Sequence, residues 1–247
     1  MIILNELKMA KEIYESGDIC SQTSEKLTMI SKYLYQQGIR NKKLFEALDK
    51  YMEKNYVDYN PVEWRERLEG RVKRAGDHLL LEVDSIPITE AEILAIQEIK
   101  TIRLQRLAFT LLCLAKYTRL KNPDSNGWVW TSINDIFNMA VIVAGEKVKC
   151  EMLHELFVEG YIGLSKKITN NSIKVNYLND DSPVVLEVSD FRRLGYEYMI
   201  HTKQGKFVRC AKCGLLVKRK TNNQKYCKSC AHIVQAEQMS EWEKTYR

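Results

Sequence analysis

The stretch Cys210-Ala211-Lys212-Cys213-Gly214, answered by Cys227-Lys228-Ser229-Cys230 with thirteen residues between Cys213 and Cys227, decides how the C-terminal part of this chain folds. Two thiolates two residues apart grip one ion from a tight turn, and Gly214 lets the backbone reverse behind the first pair. Four thiolates fill a tetrahedral shell and leave no position for a catalytic water, so the ion that they imply is structural. Cys210, Cys213, Cys227 and Cys230 are therefore the expected ligands, and His232, just outside the second pair, is not. Between the pairs, Leu215-Leu216-Val217-Lys218 and Gln224-Lys225-Tyr226 are expected to form the arms of a hairpin around Thr221-Asn222-Asn223.

The two pairs and their spacing resemble the zinc ribbon family, over residues 206–232. The resemblance implies one structural zinc, with iron as the alternative occupant of the same shell. So small a unit has few apolar residues, and metal binding, on the order of 10–16 kcal/mol in small zinc peptides, must carry much of its folding. The other cysteines are scattered. Cys113 lies in the apolar run LAFTLLCLA and reads as a buried core residue, and Cys20 and Cys150 take the same reading. No export signal or membrane-length apolar run is evident, so the chain is expected to be cytoplasmic and the paired cysteines to bind metal instead of forming disulfides.

Charge singles out the same region. From Met199 to Ala236 there is no Asp or Glu, while nine residues are Lys or Arg; the net charge is +6, so the rest of the chain sums to −3. Around the metal, Lys212, Lys218, Arg219, Lys220, Lys225 and Lys228 form a basic shell suited to nucleic-acid phosphates. Phe207 and Tyr226 are interleaved with it and read as packing residues of the ribbon.

Upstream, residues 1–84 read as a helical domain, a small bundle. Leu4, Leu7, Ile13 and Tyr14, then Leu27, Ile30, Tyr33 and Leu34, recur at helical spacing. Asn41 is expected to cap a third helix carrying Leu44, Phe45, Leu48 and Met52, and Pro61 to open a fourth carrying Val62, Trp64 and Leu68. Leu79 to Val83 reads as a strand or buried connector. Pro87 breaks any helix after it, and Thr89 with Glu92 forms a capping box for a long helical stretch, interrupted near Thr101 and running to Leu120.

Within residues 85–182, the order from Arg103 to Leu178 is helix, short strand (Trp128-Val129-Trp130), helix, helix and hairpin. Thr131 is expected to cap the second helix. Gly145 opens the third, with Val148, Met152, Leu153, Leu156 and Phe157 inward, and Gly160 ends it. This order resembles a winged helix-turn-helix domain, which implies a DNA-reading helix at Gly145 to Glu159 and a backbone-touching hairpin carrying Lys166, Lys167 and Lys174. Glu146, Glu151, Glu155 and Glu159 depart from that pattern, because carboxylates repel phosphate. His154-Glu155 begins like a zinc-protease helix, but Val158 stands where a second His is needed. Residues 183–205 are expected as a connector and 233–247 as a C-terminal tail.

The fold class expected is thus mainly α with small β. No phosphate loop, dinucleotide glycine pattern or nucleophile–histidine signature stands out, so no enzyme is expected. Through DSIPIT at 84–89, RLAFTLLCLAKY at 106–117 and QKYCKSCA at 224–231, the chain is similar to uncharacterised proteins of bacteriophages and prophages. Together these features imply a nucleic-acid-binding accessory protein of phage type, a transcription or replication factor with DNA as partner. The alternative is an adaptor or inhibitor that engages a host protein such as RNA polymerase or a defence complex through the acidic helix.

Overall fold

The computed structural model describes Ile2, residues 4–165 and residues 172–246. The chain is mainly helical, with small sheets. It divides into two compact units, Ile3–Asp84 and Met1–Ile2 with Ser85–Arg247.

The first unit contains α1 (Glu6–Ser16), α2 (Thr23–Gln36), α3 (Asn41–Asn55) and α4 (Pro61–Arg74). Local chemistry starts two of them: Asn5 Oδ1 accepts from the Lys8 amide at 2.8 Å, and Asn60 Oδ1 from Val62 at 3.0 Å ahead of Pro61. The helices then bury one stripe each, bringing Leu27, Ile30, Leu44, Leu48, Met52 and Leu68 into one core. Burial of each such side chain contributes roughly 1.5–3 kcal/mol. Tyr51 Oη donates to the Ile13 carbonyl at 3.0 Å and ties α3 to α1. Two expectations are corrected here. Arg40, not Asn41, is the residue before α3, with no side-chain cap; Asn41 takes a left-handed φ of 48°. Val62, in the first turn of α4, faces solvent. Leu79 is exposed, and residues 79–83 form no strand beyond an isolated bridge from Glu82 to Asn5; they run as a connector with Leu80 buried and bonded to Gln36.

The second unit begins with β1 (Ile86–Thr89), α5 (Glu90–Gln97) and α6 (Ile102–Lys121). The capping box at Thr89 is formed, with the Thr89 amide donating to Glu92 Oε2 at 2.9 Å. The helical stretch breaks where Thr101 Oγ1 accepts from the Leu104 amide at 3.3 Å and starts α6 afresh. From Leu107 to Lys116 every residue of α6 is buried, so this helix is the axis of the unit. Around it come β2 (Trp128–Val129), α7 (Ile133–Met139), α8 (Glu146–Val158), β3 (Ile162–Leu164) and β4 (Ile173–Val175). The strands form an antiparallel sheet in the order β2-β4-β3. Ser132, not Thr131, caps α7 by accepting from the Asp135 amide at 3.1 Å. Gly160, at φ 83°, turns the chain out of α8.

The turn between α7 and α8 is held from outside. Val141 has φ 56°, a left-handed conformation that a β-branched residue adopts only under restraint. Arg106 of α6 supplies that restraint: its Nε and Nη2 donate to the Ala140 carbonyl at 3.1 and 2.7 Å, and Nη2 also reaches the Val141 carbonyl.

Residues 183–205, expected as a connector, instead hold β5 (Val184–Val188) and α9 (Leu194–His201). β5 pairs antiparallel with β1, Ile86 opposite Val188, and Phe191, Leu194 and Tyr198 are buried, with the Tyr198 ring 5.3 Å from that of Phe109 on α6. Apolar residues at 188, 191, 194 and 198 give the segment a buried side, which a connector lacks. The expected tail is also corrected: α10 (Lys228–Tyr246) continues from the last cysteine pair as one helix. Cys113 is buried, whereas Cys20 and Cys150 are exposed.

One buried polar cluster stands beside α6. Glu92 and Lys116 have side chains 0% and 4% exposed and pair at 2.8 Å. Lys116 also donates to the Pro87 carbonyl at 2.8 Å and pairs with Asp180 at 3.1 Å, and Glu92 Oε1 accepts from the Asn179 amide at 3.1 Å. Every donor of the ammonium is used. The cluster is a strut that fastens β1 and the 179–180 turn to α6.

Candidate metal centre and the basic surface around it

The hairpin that carries the first cysteine pair is built from β6 (Phe207–Arg209) and β7 (Leu216–Lys218), paired antiparallel with Val208 opposite Val217. Its arms are therefore residues 207–209 and 216–218, and the expected arm 224–226 forms no strand. The knuckle Cys210–Gly214 is the tip of this hairpin. The Cys210 amide donates to the Leu215 carbonyl at 3.0 Å and the Gly214 amide to the Cys210 carbonyl at 2.8 Å, a closure that requires the left-handed φ of 71° at Gly214. The second pair sits at the start of α10. Cys227 precedes the helix, Cys230 lies in its first turn, and the Cys230 amide points to Cys227 Sγ at 3.5 Å. Amides at a helix start favour thiolate.

Cys210, Cys213, Cys227 and Cys230 converge so that their sulfur atoms all lie within 4.8 Å of one another, and Cys213 Sγ is 3.8 Å from Cys227 Sγ. A tetrahedron with zinc–thiolate bonds of about 2.3 Å has edges of about 3.8 Å, so the four residues fit one metal ion. Burial opposes ionisation of Cys210, but backbone amides of Cys227, Cys213 and Lys212 outweigh it and bring its thiol down to about 6. Leu215, Val217 and Tyr226 pack against the buried sulfurs, which is the packing role expected of Tyr226. His232 is exposed and outside the cluster.

Contacts that sequence reasoning missed fasten the hairpin to the rest of its unit. Arg192 donates through Nη1 to the Cys213 carbonyl at 3.0 Å, while its Nη2 pairs with Asp190 at 2.7 Å. Burial raises the Asp190 carboxyl, but the hydrogen bonds and charge of Arg192 prevail and hold it below the usual 3.8. Arg209 pairs with the nearly buried Glu197 of α9 at 2.6 Å, and the Phe207 ring lies 4.8 Å from that of Tyr196. Only the short Asp190-x-Arg192 spacing signals any of this locally.

The basic residues divide into engaged and free. Lys212 pairs with Glu237 of α10, just past the acid-free stretch, and Arg219 donates to the carbonyls of Thr221 and Asn222. Lys218, Lys220, Lys225 and Lys228 are exposed, with no carboxylate in ion-pair distance among the described residues. Lys174 is half-buried on the central strand β4, opposite Trp128 and Gly163. Lys166 and Lys167 lie outside the described residues.

On α8, Met152, Leu153 and Leu156 are buried, but Val148 and Phe157, expected inward, are exposed. Lys149 folds back, 13% exposed, to pair with Glu146 at 3.1 Å and reach Asn134 at 2.5 Å. Lys147, Glu151, His154 and Glu155 remain on its solvent side.

Comparison of the chain with protein-family models, with curated proteins and with solved structures gives no match. No helix among the described residues is long and apolar enough to cross a membrane.

Proposed function

We propose that the chain is a zinc-containing accessory protein that holds nucleic acid through its basic ribbon. The observation that supports this most is the set Lys218, Lys220, Lys225 and Lys228, exposed and, among the described residues, unpaired around a four-cysteine site on a stretch without a carboxylate. Such lysines gain by displacing counterions from a phosphate backbone, and a rigid metal-held scaffold spares them part of the ordering cost. Zinc suits the site because the four sulfurs close a tetrahedral shell, where its part is to fold the ribbon. A phage transcription or replication factor is the setting to which the sequence resemblance points.

A mobility-shift titration with duplex and single-stranded DNA tests the reading. Four phosphate contacts on a duplex give a salt slope near −3.6, so affinity should drop roughly a hundredfold between 50 and 200 mM salt. Lys218→Ala with Lys220→Ala should lower the slope by about 2. Absence of binding at low salt refutes the reading.

The second reading is a protein-docking adaptor built on a winged helix-turn-helix, with α6, β2, α7, α8 and the β3–β4 hairpin in the corresponding order. It is favoured by the solvent side of α8, where Glu151 and Glu155 share a face with exposed Val158. A stoichiometric partner that survives nuclease treatment and is lost on Glu151→Lys with Glu155→Lys would support it.

A further inference from the structure

The N-terminal unit holds a polar groove between α2 and α4 that the ribbon does not involve. It encloses about 320 Å³. Its α2 wall presents Ser24, Thr28 and Ser31, spaced four and three residues apart on one helical face. Its α4 wall presents Arg71 and Arg74, continued by Arg67 one turn earlier, with Lys32 and His78 at the rim. The hydroxyls are too small to fill the space between the helices. Thr28 and Ser31 also turn their protons back to helix carbonyls, at 2.9 and 2.8 Å, so the donors left for the groove are the Ser24 hydroxyl and the cations.

Arg71 is fixed in place: Nη2 donates to Ser24 Oγ at 2.7 Å and Nη1 to the Arg67 carbonyl at 2.9 Å. Arg74 is steadied through Nε on the Gly70 carbonyl at 3.1 Å. Among the described residues no carboxylate pairs with Lys32, Arg71 or Arg74, whereas on other faces of the same helices Lys26 pairs with Asp18 at 3.0 Å and Arg65 with Glu69 at 3.2 Å. Among the described residues Asp77 is the one carboxylate lining the groove, and it has no ion-pair partner. The buried Arg71 Nε has no hydrogen-bond partner. Burial, and then the charges of Arg74 and Arg67, lower the Arg71 pKa, so the groove works against its own positive charge. The path of the chain keeps His78 beside α2: Gly76 passes so close to Tyr35 that a Cβ would lie 2.6 Å from its Oη.

Three cations without an ion-pair partner, facing the single carboxylate of Asp77 around a hydroxyl-lined cavity of this size, match the charge, donor number and dimensions of a phosphate group. From this juxtaposition we infer that the α2–α4 groove is a phosphate-binding site, with Arg74 and Lys32 gripping the oxygens and Arg71 holding the wall in place. The phosphate is either that of a nucleic-acid backbone or that of a small phosphorylated metabolite. The site stands apart from the ribbon reading and survives its failure.

Calorimetric titration of the whole metal-loaded chain with inorganic pyrophosphate, at ionic strength matched with chloride, tests the inference. Saturable binding is expected, weakened about tenfold or more by Arg74→Gln and by Lys32→Ala, as loss of a charge-assisted hydrogen bond requires. Neither side chain holds the core, and an unchanged melting temperature will confirm that both variants fold. The ribbon variant Lys218→Ala with Lys220→Ala should bind pyrophosphate as the wild type does. Lack of saturable binding, or equal binding by the groove variants, overturns the proposal. A labelled 20-bp duplex then identifies the source. If Arg74→Gln weakens both probes, the phosphate belongs to a nucleic-acid backbone; if it weakens pyrophosphate alone, to a small molecule.

Discussion

The two longest helices of the molecule are held by opposite means. α6, with 20 residues, is enclosed by β1, α7, α9 and the small sheet, and even its Lys116 is buried. α10, with 19, has Cys230 as its one buried residue among those described, and Ile233, Met239 and Trp242 face solvent. Side-chain burial orders the first. The second is anchored where its first turn meets the cysteine cluster. A helix can thus be fixed along its whole length by apolar area or at one end by a cysteine cluster positioned to hold a metal ion, and the two should fail differently.

The largest expected effect separates them outright. If the cysteine site holds its metal, removing it with a strong chelator, or replacing Cys227 by Ser, should withdraw stabilisation on the order of 10 kcal/mol from the ribbon. Hydrogen exchange should then show the β6–β7 hairpin and the start of α10 losing protection while α6 amides keep theirs. Simultaneous loss in α6 would break the comparison. Next in size, Lys116→Met leaves the Glu92 carboxylate buried without its partner and should cost about 3–5 kcal/mol in denaturant unfolding; adding Glu92→Gln should recover part of it. Leu111→Ala, a cavity in the enclosed helix, should cost about 2–5 kcal/mol, whereas Met239→Ala on α10 should stay within about 0.5 kcal/mol.

The smallest effect concerns pH. The Asp190 carboxyl is held below 3.8 by Arg192, so its contribution is fully present above that value and is lost as pH falls through the lower folded-state value. Glu197, which burial pushes up against the charge of Arg209, has the opposite slope. Asp190→Asn should therefore flatten the acid limb of a stability-versus-pH curve measured below pH 4.

What could be read from the sequence follows the same division. The cysteine pairs, the Thr89–Glu92 capping box and the break at Thr101 are local patterns, and the chain displays them within a few residues. The Glu92–Lys116–Asp180 strut joins three distant positions, and β5 finds its partner about a hundred residues earlier, so neither leaves a local signal. α10 reads as a tail because its apolar residues form no stripe. The α2–α4 groove hid in plain charge: Arg67, Arg71 and Arg74 look like a solvated helix face until the hydroxyls of α2 are placed opposite them.

Gly195 has a consequence for how variation can be tolerated. A Cβ there would lie 2.0 Å from the Ala140 carbonyl, in the turn that Arg106 holds between α7 and α8. The next two residues, Tyr196 and Glu197, meet Phe207 and Arg209 of the ribbon hairpin. One added methyl group at this position must therefore act as a wedge, changing the distance between the α8 surface and the ribbon without altering a residue of either. The spacing of the two surfaces is in effect gauged by a single hydrogen atom, and Gly195→Ala is the substitution that would recalibrate it.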